Sequence, residues 1–346
     1  MTLSHYLPAA YLGGFSSERG ARRTRRVWVL RRGAPGPTLT RAQKLLRVRG
    51  LYEPSPVAPV DLERHWQRYE RKLPSVIEML VSGSVMDAGT WLHVLVPFVT
   101  GTLLRGPEFE RRLRQRIAGI DPDLISQGNE NGARLIESQR LFAPVMAAHW
   151  VVLSSPESEL VSSDLGWVHA SPYDGQNIGV GIVLDPRHVL MLVPEVARPV
   201  LTWEGSGWVA TIERGVISGA EARGLNELQA HRADRLIVGS SPSVLAPLRS
   251  ALNGPRIDAP EPLGAWGIDS WTLVVHEFEW WRLARAINRS PAEITDFELS
   301  FAIANDDDFW PAVVLPVNLP EFESGLSLDA EVISLRLNSQ PRPFAP

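Results

Sequence analysis

The sequence predicts an α+β protein with a helical N-terminal half, a central antiparallel or mixed sheet and a small C-terminal α/β appendage. Three observations carry that prediction. Apolar residues recur at spacings of three and four between 62 and 80, short β-rich runs take over from residue 150, and a helical pattern returns at 219–236. Helices followed by strands, with no βαβ alternation, indicate α+β. The expected division is a unit at 1–252, helices then sheet, and a small acidic α/β unit at 265–346. NGPRIDAPEPLG (253–264) is the linker between them.

The elements follow in order. The chain opens on HYLPAAYLGGFS, where Pro8 suits a first helical turn and Tyr11, Leu12 and Phe15 supply an apolar face. Clustered aromatic side chains rarely sit on a loose end, so residues 5–15 are expected to be ordered and buried. RRVWVLRRG reads as a strand with alternating faces, and Gly33, Pro35, Gly36 and Pro37 then break the chain. Asp61 is a good N-cap for a helix whose stripe is Leu62, Trp66, Tyr69, Leu73, Val76 and Leu80. Pro74 should kink that helix, because it lacks an amide donor.

TWLHVLVPFVTGTLL (90–104) is the most apolar window, but His93, Pro97 and Gly101 interrupt it. It is shorter than the roughly 20 residues a bilayer span needs, so it reads as a buried helix or helix pair. Further helices are expected at 107–118 and over much of 130–149. WVVLSS, ELVSS, IGVGIVL, HVLMLVP, VLTWE and WVATIE supply the sheet. Ser218 and Glu221 form a capping box at the start of the helix that follows.

Charge is unevenly distributed. The 346 residues carry a formal charge of −4 and no cysteine. That composition excludes disulfides, thiolate chemistry and cysteine-ligated zinc, and suits a cytoplasmic setting without a secretory leader. Residues 19–49 hold eleven Arg or Lys and no acid, whereas 255–346 hold fifteen acids and six Arg. A basic stretch of this kind can contact a polyanion, and Arg22, Arg23, Arg25 and Arg26 are the first candidates.

Several short motifs occur in a fixed order: His5, Tyr6, Pro8, Tyr11, Leu12 and Phe15, then VWVL; Glu63 and Glu70; Arg105 and Pro107; Trp150; Ser163 and Asp164; Leu184, Asp185 and Pro186; and Leu225, Asn226, Gln229 and Ala230. In this order they resemble a large family of mostly bacterial proteins known as a domain of unknown function. The resemblance covers residues 5–240 and departs at Leu165 and Gly166, where the family has Asn-Pro. It implies relatives and a fold, and no agreed activity.

The chemistry-bearing candidates come from these segments. His5 can act as acid, base or metal ligand, and Tyr6 can donate to a developing oxyanion. Asp164, at a strand end, could orient His5, hold a divalent metal, act as a base or cap a turn. Arg105 could grip a phosphate or carboxylate. Asn226 and Gln229, three apart on one helical face, could read a ligand or satisfy buried backbone groups. The three adjacent acids at 306–308 read as a solvated turn. No P-loop, dinucleotide glycine motif, HExxH or G-x-S-x-G elbow is present.

Two functions therefore stand at this point. One is a hydrolase acting on a phosphate-containing substrate or nucleic acid, with His5 and Asp164 paired in a cleft that Tyr6 and Asn226 line. An Asp164 carboxylate beside the imidazole would raise the His5 pKa. The other is a non-enzymatic binding protein that uses the basic 19–49 region, with no role at a membrane.

Overall fold

The computed structural model describes residues 3–52, 62–117, 148–170, 179–193, 201–204, 206–257 and 317–318, together with helical positions 131, 134, 138, 141, 145 and 146. The fold is α+β, as the periodicities predict.

The opening stretch is tied down at both ends. Strand β1 (Leu3–His5) pairs antiparallel with β4 (Arg47–Arg49), and helix α1 (Ala9–Leu12) begins at Pro8. Tyr6, Leu7, Tyr11, Leu12 and Phe15 are all buried. The Tyr11 hydroxyl donates to Val183 O at 2.7 Å and meets Ser162 Oγ at 2.9 Å, which fastens α1 to strands far along the chain.

The apolar stripe at 62–80 forms two helices, α2 (Leu62–Glu70) and α3 (Leu73–Ser82). Pro74 therefore starts the second helix instead of kinking one long helix. Its missing amide donor costs nothing in a first turn, where no intrahelical partner exists. The apolar window becomes a continuous helical run: α4 (Ala88–Thr90), a π turn (Trp91–Leu95) and α5 (Val96–Leu104). Apart from the exposed His93, most of its side chains from Trp91 to Leu104 are apolar and buried, as an interior helix requires. Helix α6 (Pro107–Ile117) follows directly. No helix among the described residues is long and apolar enough to cross a membrane.

Two main sheets make up the β layer. In the first, β5 (His149–Ser154), β9 (His188–Val193), β8 (Gly179–Asp185) and β7 (Val168–Ala170) run antiparallel, and β12 (Ile212–Val216) adds parallel to β5. WVATIE thus contributes to two strands, since β11 (Gly207–Ala210) instead pairs with β10 (Leu201–Glu204). The second sheet has the order β3 (Thr38–Arg41), β2 (Arg26–Arg31), β13 (Leu236–Gly239) and β6 (Ser162–Ser163), all antiparallel. Buried Trp66, Trp91, Trp150 and Trp167 fill the space between the helices and the sheets.

Helix α7 (Gly219–Arg232) packs on β6 and β7. Both bonds of its expected capping box form, Ser218 Oγ accepting from Glu221 N and the Glu221 carboxylate accepting from Ser218 N. It ends at Arg232, and residues 236–239 become the central strand β13. Its inward face is polar, carrying Asn226, Gln229 and Arg232, while Leu225 and Leu228 lie half-buried beside it. The linker at 253–264 is described only as far as 257. The expected appendage at 265–346, with the acids at 306–308, lies outside the described residues apart from Val317–Asn318, which pair with β10.

Candidate functional site

The structure distributes the six sequence-predicted residues over three networks. Arg105, at the end of α5, is completely enclosed. Its Nε donates to the Tyr52 hydroxyl at 3.3 Å, Nη1 to the Tyr69 hydroxyl at 3.3 Å and to Glu70, and Nη2 to the His5 carbonyl at 2.5 Å. The guanidinium also lies 5.3 Å from the Trp66 ring centroid and 5.5 Å from that of Tyr52. An arginine with every edge occupied is a structural post that joins β1, α2 and α5. The expected anion clamp at Arg105 is corrected accordingly.

His5 belongs to the same network through its backbone. Its ring Nε2 donates to Gln43 O at 3.0 Å. Burial lowers its pKa, with the Gln43 carbonyl opposing that shift and Arg47 reinforcing it. The expected rise does not occur, because burial outweighs the upward pull of the Glu70 and Glu63 charges and Asp164 does not reach the ring. Asp164 serves a different end. Its two oxygens accept the backbone N–H groups of Asp234 at 2.9 Å and Arg235 at 2.6 Å, so it caps the turn between α7 and β13. Burial raises its pKa to about 6, against the pull of the Arg235 amide and with help from Asp234. Tyr6 shares this environment: burial first, then the Asp164 charge, pushes its hydroxyl pKa up. The proposed His5–Asp164 pair does not form, since each is committed to backbone in its own network.

The turn after Asp164 is built around a glycine. Gly166 adopts φ +77, and a Cβ there would lie 2.6 Å from a Leu7 methyl and 2.9 Å from a Thr102 methyl. Leu7 and α5 thus press directly on this backbone, which only glycine permits.

Asn226 and Gln229 differ sharply. The Asn226 amide clamps the chain before β6, its Oδ1 accepting from Val161 N at 2.9 Å and its Nδ2 donating to Glu159 O at 2.8 Å. That is backbone satisfaction. Gln229 is fully buried, and neither end of its amide has a hydrogen-bond partner among the described residues.

One turn beyond Gln229 lies Arg232, which sequence reasoning did not single out as a site residue. Its side chain is 2% exposed. Nη1 donates to His169 Nδ1 at 2.8 Å, and the guanidinium carbon lies 4.8 Å from the Trp167 ring centroid. Nε and Nη2, the side-on fork, have no hydrogen-bond partner among the described residues. Because Nδ1 of His169 accepts, that ring is neutral and carries its proton on Nε2, which is buried and likewise has no partner among the described residues. Burial, reinforced by Arg232 and Arg112, lowers the His169 pKa to about 3.

The surroundings of Arg232 are cationic. Arg112 of α6 lies 5.5 Å from the same Trp167 ring. Glu108, itself buried, is shared among Arg111 at 2.6 Å, Arg112 at 3.1 Å and Arg256. One carboxylate thus serves three guanidiniums before Arg232 is counted, and Arg256 also draws on Asp234 at 3.1 Å. Burial and then the Arg112 charge lower the Arg232 pKa to about 10, Glu108 opposing and Arg256 reinforcing the shift. Buried N–H donors without a partner among the described residues, in a site that also feels the Arg112 charge, are complementary to an oxyanion.

Two other features compete less well. An open groove of about 290 Å³ runs between α3 and β10–β12. Its one cation, Arg214, is committed to the Leu80 and Val81 carbonyls. No group of three or more His, Asp or Glu among the described residues is placed to hold a metal ion. No family model, curated protein or solved structure matches the chain.

The sequence did hold one clue to the Arg232 cluster. Asn226, Gln229 and Arg232 repeat every three residues, placing an arginine on the same buried polar stripe as the two amides. Nothing local marks Trp167 and His169, which join only through the α7–β7 packing.

Proposed function

We propose that the protein binds a ligand bearing a phosphate or another oxyanion, held by the side-on fork of Arg232 with Trp167, His169 and Arg112 around it. The observation that carries this reading is the pair of buried N–H groups on Arg232 that have no hydrogen-bond partner among the described residues. A guanidinium edge of this kind matches two oxygens of a phosphate or carboxylate. The phosphate-containing ligand class thus moves from Arg105 to Arg232. Binding is favoured over hydrolysis because His5 and Asp164, the expected acid–base pair, are each engaged with backbone. The lack of cysteine supports a cytoplasmic setting, and the order of short motifs from His5 to Ala230 supports kinship with the bacterial family they resemble.

Thermal unfolding in increasing inorganic phosphate tests the reading. A ligand that binds only the folded state stabilises it by about 2.7 kcal/mol at a hundredfold excess over Kd. The melting temperature of the parent protein should rise with phosphate, and that of Arg232→Gln should not. No rise in the parent, or an equal rise in both, would refute the proposal.

A further inference from the structure

The basic region at 19–49 separates into two groups. Arg22 reaches Glu78, Arg25 donates to the Gly20 carbonyl and Arg26 pairs with Glu18, so three of the four cations first nominated are already engaged. Arg32 is spent on the carbonyls of Ala233, Asp234 and Gly254. Between residues 41 and 49 the situation differs. The exposed positions are Arg41, Lys44, Arg47 and Arg49, and every one of them is a cation. None of their side chains makes a hydrogen bond or ion pair among the described residues.

This segment is also rigidly mounted. Ala42, Leu45 and Leu46 are buried between the cations. The Gln43 carbonyl accepts from His5, and the Leu46 carbonyl accepts from Tyr6 N at 3.3 Å. Leu46 has φ +54, a left-handed conformation that a leucine rarely adopts. That residue turns the chain from the Ala42–Lys44 helical turn into β4 and keeps Lys44 and Arg47 outward on either side of it. Held strain of this kind persists where the surrounding structure fixes it and clusters at functional segments.

We propose that the 41–49 segment is a docking ridge for the phosphodiester backbone of a nucleic acid. Arg47 and Arg49 stand two residues apart on one face of β4, about 7 Å along the strand. That interval is about two charge steps along one strand of a duplex. Three of the four cations are arginine, whose planar fork suits phosphate oxygens. A membrane partner fits less well, because Leu39 is the one large apolar residue between 38 and 49 that stands exposed. No base-reading group is implied, so the interaction is with backbone charge and indifferent to sequence. The ridge is independent of the Arg232 site.

Fluorescence anisotropy with labelled single-stranded and duplex DNA, in salt from about 50 to 200 mM, tests this directly. Four phosphate contacts predict a slope of log affinity against log salt of about −3 to −4. Replacing Arg41, Lys44, Arg47 and Arg49 together with Gln should weaken binding at least tenfold at low salt and bring the slope close to zero. The single change Arg47→Glu should give a smaller loss, and it decides the matter if the fourfold variant fails to fold. Absence of DNA binding by the parent at low salt would overturn the proposal, as would binding unchanged in the variants. Binding to phosphatidylserine vesicles with none to DNA would overturn it as well.

Discussion

Two buried arginines, Arg105 and Arg232, sit in the same protein under nearly the same degree of enclosure and end up in opposite chemical states. Arg105 meets two tyrosine hydroxyls, a carboxylate and a carbonyl, so its charge is matched on every edge. Arg232 meets one imidazole nitrogen and an indole face, and two of its donor groups have no hydrogen-bond partner among the described residues. Burial alone therefore says little about what a charged side chain does. The number of committed N–H groups separates a structural arginine from one available to a ligand.

Substitution should separate the two most widely. Arg105→Met strands Glu70 and the His5 carbonyl, and breaking a buried pair in this way costs on the order of 3–5 kcal/mol. Chemical denaturation should show that loss. The same experiment on Arg232→Gln should give a value within about 1 kcal/mol of the parent, because relief of desolvation offsets the lost cation–π contact. Equal losses at both positions would erase the distinction.

A second change probes the turn through which the N-terminal motif presses on the segment leading to Trp167. Gly166→Ala places a methyl against Leu7 and Thr102 and holds alanine at positive φ. The left-handed conformation costs roughly 1–2 kcal/mol and the overpacking a further ~1–3 kcal/mol. A melting temperature unchanged by this substitution would show that the turn relaxes freely and that the contact with Leu7 is incidental.

The pH dependence sharpens the contrast between Asp164 and His169. The folded pKa of Asp164 is raised, to about 6 from 3.8, so the folded state binds more protons than the unfolded chain across that window. Stability from this group therefore falls as pH rises from about 3.8 to about 6. His169 has a folded pKa lowered to about 3 from 6.5, so its contribution is full above 6.5 and falls as pH drops towards 3. Denaturation midpoints measured across this range should lose the first trend in Asp164→Asn and the second in His169→Gln. Retention of both trends in both variants would assign them to other groups.

Much of the fold was legible in the sequence, because periodicity and caps act locally. The buried 5–15 motif, α6, the Ser218–Glu221 cap and most strands follow from spacing and turn residues alone. Pro74 was misplaced because one residue type fits both a kink and a first turn, and the choice between them rests on tertiary packing. The site was less legible for the same reason. His5, Asp164, Arg105 and Asn226 have the right chemistry for catalysis, yet distant segments supply their partners: backbone groups for His5, Asp164 and Asn226, and chiefly side chains for Arg105. Arg232 looked ordinary at the end of a helix, since its lack of partners exists only after β7 and α6 have packed against it.

The most direct test of the account is side-chain NMR of isotope-labelled arginine, with the Arg105 and Arg232 Nε–H resonances assigned by substitution, titrated with inorganic phosphate. The account predicts that the Arg232 resonance moves saturably while that of Arg105 stays in place. A stationary Arg232 resonance, or matching movement of both, would contradict it.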